Sequence, residues 1–142
     1  VGVALAAKKK QKKYKTYVIL GDGECNEGSI WESILCASHF KLDNIVIIVD
    51  KNNFQQTGKN SSIMDLKDLT SKFKSFGCST TEINGHNVKK IYQSLMSKTT
   101  NKPKVIVANT IKGKGIKLFE NDNNWHHSII TKSIYKNIIK EI

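Results

Sequence analysis

A parallel α/β fold, a sheet flanked by helices, is what this sequence predicts, and three observations predict it. Apolar strand-like runs alternate with stretches of helical periodicity, the pattern of βαβ units. The run Ile45-Val46-Ile47-Ile48-Val49 is apolar at every position, which suits a buried strand. Two polar loops rich in Gly, Asp and Asn follow strand candidates, at the strand ends where open parallel sheets bind ligands.

The elements follow in chain order. Val1 to Ala7 is apolar and precedes the basic run Lys8 to Lys13, the reverse of a secretion signal, so residues 2–10 read as the end of a helix whose start is missing. Tyr17-Val18-Ile19-Leu20 reads as a strand stopped by Gly21-Asp22-Gly23. From Ser29 to about Phe40, apolar residues recur at helical spacing, and the strand 45–49 leads into a polar loop from Asp50 to Ser62. A second amphipathic helix is expected over 65–76 with Gly77 as its stop, then a weaker strand near 79–83 and a turn at Asn84-Gly85. Ile91, Leu95 and Met96 mark a third helix, and Pro103 introduces a strand over 104–109. A loop over 112–128 and a last helix over 131–141 complete the chain, and residues 1–142 read as a single unit without repeat or linker.

Composition narrows the function. The net charge is +11, yet every basic residue is Lys. Nucleic-acid readers favour Arg forks and stacked aromatics, neither of which is present, so the charge argues for a solvated surface and a general attraction to anionic substrates. No apolar run approaches membrane-spanning length. Cys25, Cys36 and Cys78 are odd in number and lack C-x-x-C spacing, which disfavours a disulfide framework and a zinc site and makes a reducing, cytoplasmic compartment the expectation.

The chemistry centres on the loops Gly21-Asp22-Gly23-Glu24-Cys25-Asn26-Glu27-Gly28 and Asp50-Lys51-Asn52-Asn53-Phe54. Gly21 and Gly23 leave room for a phosphate to approach the backbone, and a helix N-terminus follows. Asp22 offers a carboxylate oxygen and Asn52 an amide oxygen, the hard donors that Mg²⁺ on a diphosphate takes. Taken singly, each loop reads better as a turn. It is their pairing across a helix and a strand that points to one shared ligand.

These segments resemble the thiamine-diphosphate fingerprint of transketolase: GDGECNEGSIW from Gly21, FKLDNIVIIVDKNNFQQTG from Phe40, Phe76-Gly77, Gly85-His86, TIKGKG from Thr110 and Trp125-His126. The resemblance spans nearly the whole chain, in order, and is to the N-terminal half of transketolase, especially its split form. It implies a thiamine-diphosphate-binding fold of the diphosphate-domain type, incomplete at its N-terminus, with thiamine diphosphate and Mg²⁺ (or Ca²⁺ or Mn²⁺) as cofactors. The metal ligands it implies are Asp22, Asn52 and the backbone carbonyl of Phe54. Gly23 would meet the diphosphate through its amide, Lys112 would contact the cofactor, and His126 would serve the sugar oxygens near its reactive carbon. Glu27 and Glu32 match carboxylates at a subunit interface. The implied activity is transfer of a two-carbon ketol unit between sugar phosphates. The implied partner is a C-terminal subunit or pyrimidine domain supplying the activating glutamate, in a dimer or heterotetramer, and the chain alone is expected to be inactive.

Plainer readings accompany these. Glu27, Glu32, Lys112 and His126 also suit solvated surface, Trp31 and Trp125 suit packing, and Cys25 has no evident base. His127 stands where the family has Gly, which raises the question of backbone freedom beside His126. The alternatives are another thiamine-diphosphate branch, deoxyxylulose-phosphate synthase-like or dehydrogenase E1-like, and a degenerate non-catalytic subunit. Glu27-Gly28 and the TIKGKG tail favour transketolase.

Overall fold

The structure, a computed structural model, describes residues 1–140. Four strands form one all-parallel sheet in the order β1-β2-β6-β5: β1 (Thr16–Gly21), β2 (Ile45–Lys51), β5 (Ser79–Asn84) and β6 (Lys104–Asn109). The helices are α1 (Gly2–Lys9), α2 (Gly28–His39), α3 (Asn60–Ile63), α4 (Leu69–Ser75), α5 (Val88–Met96) and α6 (Lys132–Ile138), and a two-residue hairpin, β3 (Phe54–Gln55) with β4 (Gly58–Lys59), follows β2. The β1–β2 register sets Gly21 opposite Asp50, so the two loops leave the sheet side by side.

Local chemistry sets the boundaries. Asp68, Asn87 and Thr131 cap α4, α5 and α6, each accepting from a backbone N–H one turn in. Gly77 ends α4 at φ +87°, a backbone region open to glycine. Two expectations need correction. The helix expected over 65–76 starts only at Leu69, because Asp65 accepts from the Lys67 N–H at 2.8 Å in a local turn and Lys67 takes φ +52°. Leu66 is buried from that turn rather than from a helix face, which is why its spacing imitated one. The polar segment 50–62 is not a plain loop, for it folds back as the β3–β4 hairpin and begins α3. The last helix ends at Ile138, and the part of that expectation falling on 141 lies outside the described residues.

One face of the sheet carries the main core. Ile45, Ile47 and Val49 of β2 and Val105 and Val107 of β6 meet Ala4 of α1, Ile34 and Ala37 of α2, and Leu69 and Phe73 of α4. Trp31 stacks on Phe73 with centroids 5.0 Å apart and donates Nε1–H to the Cys25 carbonyl at 2.8 Å, so it is a packing residue with its polar end satisfied. The opposite face holds Val46, Ile106, Ala108 and Ile83 against Ile91 and Leu95 of α5. Lys104, 4 % exposed, caps that helix: its ammonium donates to the carbonyls of Ser94 and Leu95 at 3.0 and 3.3 Å and to that of Ser97. Among the described residues no helix is long and apolar enough to cross a membrane.

Candidate metal and diphosphate site

Beyond the carboxyl ends of β1 and β2 lies a cavity of about 480 Å³, lined by Asp22, Asn52, Phe54, Asn60, Lys51, Lys59 and Lys67 among others. Asp22 is 2 % exposed. Its Oδ1 accepts from the Gly23 N–H at 2.9 Å, and its Oδ2 accepts from the Asn53 N–H at 2.6 Å, which ties the first loop to the second. That second contact depends on Asn53 adopting φ +67°, a left-handed conformation that asparagine tolerates better than most residues. Asn52 is fixed by its own turn. Its Oδ1 accepts from the Phe54 N–H at 2.9 Å and its Nδ2 donates to Asp50 at 3.1 Å. Asp50 also accepts from the Thr110 hydroxyl, linking β6 to the same cluster.

Burial pushes the Asp22 carboxyl above its ordinary range, the amides of Asn53, Asn60 and Gly23 pull it back, and neighbouring Asp50 adds to the rise. A cation beside Asp22 would offset that burial. Two carboxylate oxygens offer about four acceptor positions, of which the Gly23 and Asn53 amides take two, and Asn52 Oδ1 keeps one of its two. The donor set left over is carboxylate and neutral oxygens, which suits Mg²⁺ completed by water and phosphate rather than a thiol- or imidazole-loving metal. Among the described residues no three His, Cys, Asp or Glu side chains gather as a metal cluster, so the fit rests on this mixed set.

A Cβ at Gly23 would meet the Gln55 Cβ at 2.5 Å, so the glycine makes room for the hairpin, and its amide is engaged by Asp22. At Gly21 a Cβ would meet nothing within 4 Å. Cys25 is buried, with its thiol pushed up to about 12, and serves as packing.

A second pair forms nearby. Lys112 Nζ lies 3.1 Å from His126 Nδ1, and because an ammonium only donates, Nδ1 accepts and the neutral ring carries its proton on Nε2. The loop bearing both is pinned by Asn123 Nδ2 donating to the Gln56 carbonyl at 3.1 Å, and Asn121 lines the cavity itself. At its root the Ile111 N–H donates to His86 Nε2 at 2.8 Å, and Gly113, at φ +74°, passes against the Phe119 carbonyl. The Gly85-His86 and TIKGKG segments are thus mutual supports. His127 adopts φ −148°, so no left-handed backbone is required where the family has glycine. Trp125 packs on Phe119 with centroids 4.1 Å apart. Glu27 and Glu32 lie exposed at the start of α2, and neither forms an ion pair among the described residues. Sequence reading missed Asn60 and Asn121, which sit in polar segments with no pattern to mark them.

Fold and site together define the class: a parallel α/β domain whose ligand cleft opens beyond the ends of β1 and β2, where two loops interlock. Residues 4–139 match the family described as transketolase, thiamine diphosphate binding domain, and the chain belongs to that family. It is 38 % identical over 144 residues to one of the subunits of the apulose-4-phosphate transketolase of Phocaeicola vulgatus, an alignment covering 100 % of this chain and 51 % of that protein. The corresponding protein of Actinobacillus succinogenes is 44 % identical over 130 residues, covering 91 % and 47 %. The transketolase structure from Campylobacter jejuni superposes with a TM-score of 0.89 at 30 % identity, covering 99 % of this chain and 23 % of that one. The chain therefore spans about half the length of the two apulose-4-phosphate transketolase proteins it matches.

Proposed function

We propose that this chain supplies the Mg²⁺–diphosphate half of a thiamine diphosphate site in an enzyme that transfers a two-carbon ketol unit between sugar phosphates, and that a pyrimidine-domain partner completes the site. The observation that carries the reading is that Asp22 and Asn52, thirty positions apart in sequence, line one cavity and are cross-linked through Asn53. Asp22, Asn52 and the Phe54 carbonyl would hold the cation. The Gly23 amide would turn from Asp22 to the diphosphate. The lysines around the cavity attract the anionic cofactor and sugar phosphates.

The bound cofactor would supply the nucleophilic carbon, and the protein positions it. Lys112 holds His126 through Nδ1, which leaves Nε2–H as a donor for sugar oxygens. Glu27 and Glu32, exposed on α2, are available to a subunit interface. Several relatives are named as single subunits of transketolases, including that of the 6-deoxy-6-sulfo-D-fructose enzyme of Clostridium sp. (strain MSTE9) at 34 % identity. Those names support a separate partner chain, and the assembly proposed with it is a dimer or heterotetramer. Three free thiols suit work in the cytoplasm.

Calorimetric titration of thiamine diphosphate with Mg²⁺ tests the site, and a ketol-transfer assay with and without a pyrimidine-domain partner tests the assembly. Asp22→Ala is expected to abolish metal-dependent binding, and turnover is expected only with the partner. Undiminished binding by Asp22→Ala, or robust turnover by the chain alone, overturns the reading.

A further inference from the structure

Asn60 belongs to none of the motifs that mark the site, yet it is only 7 % exposed and lines the same cavity as Asp22, Asn52 and Phe54. Its backbone is set by the hairpin: the Asn60 N–H donates to the Asn53 carbonyl at 3.0 Å, returning the chain from β4 to the loop that clamps Asp22. Its side chain then reaches two members of the site. The carboxamide lies beside the Asp22 carboxylate and helps hold its carboxyl down, and its Oδ1 lies 3.4 Å from where a Cβ on Gly23 would stand.

The orientation follows from the partner. A carboxylate only accepts, so the Nδ2 end faces Asp22 and Oδ1 is turned toward Gly23. There Oδ1 is buried without a hydrogen-bond partner. An amide oxygen left in that condition is costly, and native interiors pair the large majority of such groups. Oδ1 is an acceptor, so a phosphate oxygen is the wrong neighbour for it. A cation, or a water polarised by one, is the right neighbour.

We propose that Asn60 is a positioning residue of the cation site, its amide nitrogen aiming the Asp22 carboxylate and its amide oxygen receiving the hydrated divalent cation that Asp22 and Asn52 hold. This rests on the reading that the cavity takes Mg²⁺ with a diphosphate. The pairing is economical in geometry, because one side chain orients the charged ligand and supplies a neutral oxygen next to it. Residues that support metal ligands in this way typically contribute about 10- to 100-fold to metal affinity.

The test measures Mg²⁺ affinity by calorimetry at fixed thiamine diphosphate, with thermal melts in the presence and absence of Mg²⁺, on the wild-type chain and on Asn60→Leu, Asn60→Asp and Asp22→Ala. Asn60→Leu keeps the volume without polar atoms and is expected to weaken Mg²⁺ by about 10-fold or more. Asn60→Asp keeps an oxygen beside the cation and sets it against Asp22, so it is expected to melt earlier than wild type without Mg²⁺ and to regain that loss when Mg²⁺ is added. A merely structural amide would lower both variants' melting temperatures equally with and without Mg²⁺ and leave the metal affinity unchanged, which overturns the proposal. Wild-type affinity in Asn60→Leu, with Asp22→Ala silent, sinks this inference alone. Absence of Mg²⁺-dependent binding in the wild-type chain sinks it together with the reading beneath it. Should Asn60→Leu fail to fold, recovery of Asn60→Asp by Mg²⁺ decides the matter, and absence of that recovery counts against Asn60.

Discussion

On one face of the sheet, α1, α2 and α4 cover the strands, and Ile45, Val49, Val105, Val107 and Phe73 are at most 1 % exposed. On the other, α5 packs over β5 and β6, while Tyr17 and Ile19 of β1 stand 55 % and 74 % exposed. Neighbouring residues of β1 differ little in character, Val18 and Leu20 on the first face against Tyr17 and Ile19 on the second. Which of them is buried is decided by the elements laid across each face, not by the strand. The candidate site adjoins the covered face, with Leu66 and Leu69 of that core forming part of the cavity wall. A carboxylate as buried as Asp22 is held where packing is complete.

The contrast can be broken most severely at Phe73. Phe73→Ala removes a fully buried ring stacked on Trp31 and is expected to cost about 3–5 kcal/mol in urea denaturation. A loss below about 1 kcal/mol would mean the first face is not the structural centre. Next comes the second face's polar anchor. Lys104→Met leaves the carbonyls of Ser94, Leu95 and Ser97 without their donor and is expected to cost about 1–3 kcal/mol, with faster amide exchange confined to the end of α5. Unchanged exchange there would show that apolar contact alone holds the helix.

Two strand-end carboxylates predict opposite responses to pH. Hydrogen bonds from Asn109 and Thr70 and the Lys51 ammonium hold Glu82 below its ordinary range. Its folded value is depressed, so its contribution is present above the unfolded value and is lost as pH falls through the folded one. Glu82→Gln should flatten the acid side of a stability–pH curve. Asp22 is raised by burial, so in the metal-free chain its contribution is full below the unfolded value and is lost as pH rises through the folded one. Asp22→Asn should remove that loss, and a wild-type curve that climbs through the same range would contradict the assignment. The smallest effect belongs to the open strand. Ile19→Ser should change stability by less than about 0.5 kcal/mol, and a core-sized loss would show that β1 is covered on both faces in solution.

Much of this was legible from residue order. The apolar run 45–49 and the strand after Pro103 are where expected, because burial on both faces demands a continuous apolar run that few other contexts tolerate. The two site loops were legible for a related reason, since strand ends are punctuated by Gly, Asp and Asn. The start of α4 was not, because Leu66 satisfies a helical period while sitting in a turn. Asn60 was invisible in a polar segment, since its burial exists only once β3 and β4 pair.

By itself, then, the sequence determined the α/β class, the order of the elements and the two loops that carry acid and amide, because periodicity and turn chemistry act over a few neighbouring residues. Tertiary structure alone decided that Asn53 clamps Asp22, that Gly23 makes way for Gln55, that Lys112 orients His126, and that Asn60 completes the cavity. Each of these joins residues distant in the chain through hydrogen bonds or contacts of a few ångströms, and distances of that kind are fixed by packing rather than by local propensity.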